Sequence, residues 1–205
     1  MCSSDLDTTY RRLNGKLIIN GEKWFIGNAP LADMHVVFAR DEHTGVFSTI
    51  LVRSNLPGVS CASRHEMSGL SGFSIGCVSF ENVEVSDQEI LGAPGDGQRV
   101  IHRVVGRHGR LSLTGLALGI HQRVYDQAFE YSQHRELYGK PISALPDIQS
   151  KIFDIYQNLE ICRSLAYRAA TIERDAGDSM RILALSKHVN SRLACQSALT
   201  AMQIL

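Results

Sequence analysis

Leu17 to Asn28 reads LIINGEKWFIGN, and the fold of the first half of the chain turns on it. Two apolar runs, Leu17-Ile18-Ile19 and Trp24-Phe25-Ile26, flank Asn20-Gly21. Asn-Gly suits a two-residue type I′ turn because both central positions need positive φ, so the stretch predicts a β-hairpin turning at Asn20-Gly21. Its second strand sets the single Trp beside a Phe just before Gly27 and Asn28, and strand alternation sends the two rings to opposite faces. Two readings of the pair stand together. Either both rings fill a sheet core, the ordinary use of large aromatics, or a flat ligand stacks on this strand end.

Working outward, Met1 to Arg12 is polar and aperiodic and reads as an entry segment. Strand patterns follow the hairpin at His35 to Arg40, Val46 to Val52, the VSCAS run after Leu56-Pro57-Gly58, and Ser74 to Val85. Turn residues at 41–45, 55–58 and 68–72 punctuate them as in an antiparallel barrel or sandwich. After Gly92-Ala93-Pro94-Gly95 the period changes from two to between three and four, which marks a domain boundary. Gln98 to about His134 contains no Pro and predicts one helix of roughly 55 Å. Gly106, Gly109, Gly115 and Gly119 lie within it, each costing about 1 kcal/mol relative to Ala. Close approach of another helix suits Gly115 and Gly119, while Gly106 and Gly109, beside Arg107, His108 and Arg110, suit either a crossing or a ligand.

Tyr138-Gly139-Lys140-Pro141 breaks the helix, and Ser143 is placed to cap the next one. That helix carries Ile148, Ile152, Ile155, Leu159 and Cys162 on one stripe. Asp175-Ala176-Gly177-Asp178 closes it, and a third helix follows with Ile182, Leu185, Val189 and Leu193 on one face. The helical pattern runs to Leu205. The expected architecture is α+β: an antiparallel β-barrel domain over 1–92, then an incomplete antiparallel helical bundle over 96–205.

Composition excludes several functions. Lys plus Arg equals Asp plus Glu at 21 each, so no basic excess exists to neutralise a nucleic-acid backbone or hold an anionic membrane surface. The five cysteines are odd in number and never in CxxC spacing, which fits reduced thiols in a cytoplasm. No apolar run has the length of a membrane span or a signal peptide. GxGxxG after a strand, GxxxxGK[ST], HExxH and GxSxG are all missing, and the histidines lack metal-ligand spacing. The remaining candidate is cationic: Arg135 at a helix end beside Tyr138-Gly139, placed either to clamp a phosphate bidentately or simply to favour the helix dipole.

NGEKWFIGN, then a long helix, then His134 to Ile142 (HRELYGKPI), then a helix ending in Ala201-Met202-Gln203-Ile204-Leu205, resembles in order and separation the acyl-CoA dehydrogenase family of flavoproteins. The resemblance implies a middle β-barrel domain and a C-terminal helical domain in a homodimer or homotetramer. It implies FAD as cofactor, and oxidation of an acyl-CoA at its α,β carbons, with electrons passing to an electron-transfer flavoprotein or to O₂. Residue by residue, Trp24 and Phe25 are similar to the family's aromatic pair, Phe25 in the register of the ring that covers the flavin. Gly27 stands where a Thr or Ser usually bonds the flavin. Arg135 is similar to the arginine that reaches a neighbouring subunit's FAD pyrophosphate, Tyr138 to the aromatic beside it, and Gln203 to a cross-subunit FAD contact. Arg110 and Ser74 are the substrate-side matches.

Departures from the pattern accompany these matches. Pro146 stands at a usual glutamine, Phe73 at a serine that commonly meets the CoA arm, and Gly109 where some members carry the catalytic glutamate. No catalytic base and no metal site are identified. Ser4-Asp5 resembles the end of the family's flavin-loop motif at the wrong spacing. The resemblance also implies an N-terminal helical domain and a glutamate-bearing segment that this stretch of sequence does not carry. The departures keep two alternatives open: a flavin monooxygenase or nitroalkane oxidase on the same scaffold, and a non-catalytic flavin-binding or DNA-protecting relative, the latter disfavoured by the neutral charge.

Overall fold

A computed structural model describes residues 7–63, 67–172 and 177–205. Cys2, Ser4-Asp5 and Asp175-Ala176 lie outside the described residues. By internal contacts the chain divides into two compact units, Met1–His102 and Arg103–Leu205.

The first unit is a six-stranded sheet of β1 (Thr9–Leu13), β2 (Lys16–Gly27), β3 (Met34–Asp41), β4 (Phe47–Arg53), β5 (Val59–Ser63) and β6 (Ile75–Ser86). Hydrogen-bonded neighbours run β4-β3-β1-β2-β6-β5. Two expectations change. Asn20-Gly21 is not the hairpin turn: β2 runs unbroken through it, and the type I′ turn is Asn14-Gly15, with φ of 51° and 76°, which folds β2 back on β1. Thr9 to Arg12 is therefore strand rather than entry segment. Asn20 instead meets a β-bulge, since Ile19 pairs with Val83 but Gly21 with Phe80, leaving an extra residue on β6. Its side chain fastens that bulge by accepting from the Asn82 backbone N–H at 2.8 Å.

The sheet is also mixed rather than wholly antiparallel, because β1 and β3 run parallel at Thr9↔Arg40 and Tyr10↔Asp41, and it is not closed by a β4–β5 pair among the described residues. Tyr10, Leu17, Ile19, Val37, Ile50, Val52 and Phe80 form its core. Leu17, Ile18 and Ile19 are all buried, as befits a central strand covered on both faces.

Helix α1 (Gly97–Arg103) leads into a π-helical turn, Val104–Gly109, and then α2 (Arg110–His134), so the expected single rod is interrupted. Gly106 is the tight position there: a Cβ on it would lie 2.7 Å from Met180 Cε. Gly115 and Gly119, expected at a crossing, face open space. After a two-stranded ribbon, β7 (Glu136–Leu137) and β8 (Lys140–Pro141), helix α3 (Pro146–Thr171) begins with Pro at its first turn. Ser143 does not cap it; it lies in a short 3₁₀ turn. Helices α2, α3 and α4 (Ser179–Ala201) each pack on the other two. Ile148, Ile155, Leu159 and Cys162 form the buried face of α3 as read. On α4 the buried stripe differs: Leu185 is exposed, and Ser186, Asn190 and Ser197 lie inside with Ile182, Leu183 and Leu193.

Candidate functional site

The open end of β2 departs from strand geometry where the aromatic pair falls. Lys23 pairs with Val78 and Ile26 with Gly76, so β2 carries one more residue than β6 between them. That bulge places Phe25 at φ 57°, and the residue is 61% exposed. The rings therefore do not simply alternate across a regular strand. An aromatic residue in left-handed backbone is an outlier held by its surroundings, and bulges commonly re-aim a side chain at a site. Trp24 is half-buried, its ring N–H donating to Glu22 Oε2 at 3.0 Å, while Ser79 Oγ donates to Glu22 Oε1 at 3.2 Å.

Past the bulge, the Asn28 N–H donates to the Ser74 carbonyl at 2.7 Å, which brings Ser74 and Phe73 to the same strand end as Gly27. A cavity of about 190 Å³ opens beside it, with Lys23, Gly27, Met34 and His35 in its lining. Burial holds the His35 imidazole below its ordinary pKa, which favours its uncharged form, and Ser54 Oγ and Cys61 Sγ lie 3.0 and 3.5 Å from its Nε2. Burial likewise raises the Cys61 thiol, with Cys77 adding to it, so the sulfur stays protonated and is not a thiolate nucleophile at neutral pH.

In the helical unit the Leu137 and Lys140 pair closes a two-residue turn, Tyr138-Gly139, with φ of 54° and 73°. Tyr138 stands at its tip, 87% exposed. Arg135 caps α2: its N–H donates to Tyr131 O at 2.9 Å and its carbonyl accepts from Ile142 N–H at 2.8 Å. Its guanidinium is exposed and has no hydrogen-bond or ion-pair partner among the described residues. Gln203 is exposed in the turn after α4, its N–H on the Thr200 carbonyl. Ile142, just past the Tyr138 turn, and Ala201 and Ile204, either side of Gln203, share one apolar cluster with Ile148 and Ile155. Arg135, Tyr138 and Gln203 are thus anchored at one end of this unit.

Arg110 stands apart from them, half-buried at the start of α2 directly after the π turn. Sequence reasoning missed a cavity of about 280 Å³ between α2 and α3, walled by Tyr125, Phe129, Phe153 and Tyr156. Its signal was the i, i+4 pair Tyr125 and Phe129, whose rings stack at 5.8 Å. Among the described residues no group of three or more His, Cys, Asp or Glu is placed to hold a metal, and no helix is long and apolar enough to cross a membrane.

Residues 3–83 match the family model for the acyl-CoA dehydrogenase middle domain, and residues 95–205 match that for the acyl-CoA dehydrogenase C-terminal domain. The chain is 31% identical over 98% of its length to an acyl-CoA dehydrogenase of Bacillus subtilis, covering 54% of that protein. It is 32% identical over 97% of its length to the human mitochondrial short-chain specific acyl-CoA dehydrogenase, covering 48% of it. Butyryl-CoA dehydrogenase from Megasphaera elsdenii superposes with a TM-score of 0.92 at 27% identity, across 97% of this chain and 53% of that one. The chain spans about half the length of the curated relatives it matches.

Proposed function

We infer the function from one premise: this chain belongs to the acyl-CoA dehydrogenase family. The protein that carries it is proposed to be a FAD-dependent oxidoreductase that takes two hydrogens from the α,β carbons of an acyl-CoA thioester, giving the enoyl-CoA. Residues 1–92 are assigned to the middle domain, completed as a barrel, and 96–205 to the C-terminal helical domain, completed as an antiparallel bundle.

One observation carries the cofactor assignment. Of the aromatics singled out from sequence, Phe25 and Tyr138 both hold left-handed backbone and both project into solvent. Strain of that kind, held by the surrounding structure, clusters at ligand-binding sites. The donors fit FAD as well: an exposed aromatic face for a flat ring system, and an exposed Arg135 guanidinium for a diphosphate. FAD, when bound, supplies the two-electron acceptor for hydride.

The chain's own residues hold and orient. Phe25 and Trp24 flank the ring system, and at Gly27 only the backbone remains to meet it. Arg135, Tyr138 and the Gln203 amide reach the cofactor of a neighbouring subunit. Arg110 and Ser74 face the substrate. The exposed Leu113, Leu116, Ile120 and Leu199 of the helical unit supply apolar area for a homodimer or homotetramer. The described cysteines are free, in keeping with a reducing cytoplasm, and an electron-transfer flavoprotein or O₂ takes the electrons.

The experiment is direct: purify the protein that carries this chain and add acyl-CoA without oxygen. A yellow preparation bleached by substrate supports the reading, and a colourless one that FAD cannot reconstitute refutes it. A second reading, a flavin monooxygenase or nitroalkane oxidase, is favoured by Phe73 lying over Gly27, which replaces a hydroxyl-bearing position with an apolar ring. Rapid reoxidation of the reduced protein by O₂, with no acyl-CoA bleaching, would select it.

A further inference from the structure

Gly27 and Phe73, separate departures in the sequence, are one feature in the fold. A Cβ built on Gly27 would lie 2.5 Å from Phe73 Cζ and 3.2 and 3.4 Å from Cε2 and Cε1, and the ring supplies all three of the nearest atoms it would meet. Carbon atoms rest at about 3.5–4.0 Å, so the ring occupies the volume any side chain at position 27 needs. Backbone conformation does not explain the glycine, because Gly27 is not among the positive-φ residues. Position 27 is glycine to seat the ring.

The ring itself is held from both sides in sequence. The Phe73 N–H donates to the Leu70 carbonyl at 2.8 Å, and the Ser74 carbonyl accepts from Asn28 N–H at 2.7 Å. One part of it packs on the strand, yet 42% of the residue remains in solvent, at the same strand end as exposed Phe25.

We propose that Phe73 is a specificity-determining residue of this site. Its ring supplies, from the segment just before the neighbouring strand β6, the wall that position 27 lacks, and beside Ser74, the substrate-facing residue of that reading, it narrows the space open to the acyl end of the substrate. The proposal rests on the flavoenzyme reading above and deepens it by naming what selects the acyl group. Direction follows from geometry. Removing the ring opens the wall. Adding a methyl at 27 pushes the ring tip off its seat into the open space, because Phe73 can swing whereas the strand cannot. Without the ring, that methyl meets none of the three atoms that opposed it.

The test uses Phe73→Ala, Gly27→Ala and the double variant of the protein that carries this chain, each with its flavin content read from visible absorbance. The readout is kcat/KM for a bulky substrate, phenylpropionyl-CoA, divided by that for butyryl-CoA. Phe73→Ala is expected to raise the ratio about tenfold, the scale of pocket discrimination by one or two carbons. Gly27→Ala lowers it, and the double variant matches Phe73→Ala, since contacting residues act non-additively. Phe73→Leu, which keeps apolar bulk, lies between wild type and Phe73→Ala and replaces it if the alanine variant fails to fold. Flavin-loaded variants whose ratios stay within twofold of wild type overturn the proposal. So does a Gly27→Ala effect that is equal with and without the ring. A wild-type protein that holds no flavin overturns the functional reading and this proposal with it.

Discussion

Replacing Phe25 by Gly and, separately, by Ala isolates the cost of its backbone. Phe25 holds φ at 57° within β2, at the bulge between Lys23 and Ile26. Left-handed backbone costs a residue with a Cβ roughly 1–2 kcal/mol. Both substitutions remove the ring, so whatever packing it contributes is lost equally in the two. In ordinary strand backbone the Gly variant would be the weaker by about 0.5–1 kcal/mol, from the entropy of the unfolded glycine. Here the relief exceeds that entropy, and the sign reverses. Phe25→Gly is expected to be more stable than Phe25→Ala by about 0.5–1 kcal/mol. Urea unfolding followed by the fluorescence of Trp24, the only Trp, reports on this strand directly. With a slope of about 2 kcal/mol/M the midpoint of the Gly variant should stand about 0.4 M above that of the Ala variant. Both should lose flavin affinity alike, because both lack the ring. A Gly midpoint equal to or below the Ala midpoint would refute the claim that the bulge holds Phe25 under strain.

Other outcomes follow from the same geometry. Arg135→Ala is expected to weaken FAD binding about tenfold, with Arg135→Lys between it and wild type because a lysine keeps the charge but not the bidentate fork; flavin retention on gel filtration measures it. Gly58→Ala should destabilise the β unit by at least about 2 kcal/mol in urea, since φ is +86° and the new Cβ meets the Glu81 carbonyl oxygen, a backbone atom in β6 that cannot swing aside. His121 is fully buried, neither ring nitrogen has a well-formed hydrogen bond among the described residues, and burial lowers its pKa against a smaller opposing effect of the Ile155 backbone. The unfolded chain therefore takes up a proton first as pH falls through the ordinary 6.5, and stability is lost below that value at up to about 1.4 kcal/mol per pH unit, while above it this group adds no pH dependence. His121→Leu should flatten that decline in urea titrations run at several pH values, and an unchanged slope would show that His121 is not its source.

The strands were legible wherever alternation met a turn signal, and VSCAS is β5 residue for residue. The hairpin was misplaced for a physical reason. Asn14-Gly15 and Asn20-Gly21 flank the same apolar run with equal local preference for a type I′ turn. What decides between them is the partner: β6 pairs with both halves of β2, so β2 stays extended through Asn20 and the turn falls at Asn14. Local sequence holds no record of that pairing. The π turn escaped similarly, because Val104–Gly109 is helix-compatible and the accommodation of Gly106 against Met180 is set by α4 from far along the chain. On α4, Ser186, Asn190 and Ser197 read as a polar face, and their burial depends on neighbours that periodicity does not name.

The candidate site divides along the same line. Tyr138 carried its own signal, since Tyr-Gly between Leu137 and Lys140 has the length of a two-residue turn, which forces positive φ on an exposed aromatic. Phe25 carried none. Gly and Asn are the residues that accept left-handed backbone, and a Phe there is imposed from outside by β6, which advances two residues while β2 advances three. Gly27 and Phe73 lie further still from local reading, 46 positions apart, and taken singly each looks like the loss of a polar contact. Together they are a replacement of one wall by another, because a ring that fills the place of a missing side chain preserves the enclosure while changing its chemistry from hydroxyl to hydrocarbon. Substitutions at either position are therefore to be interpreted as changes to the pair. A hydroxyl restored at 27 alone must first displace the Phe73 ring, so recovering the polar contact without moving that wall requires Phe73 to shrink in the same variant.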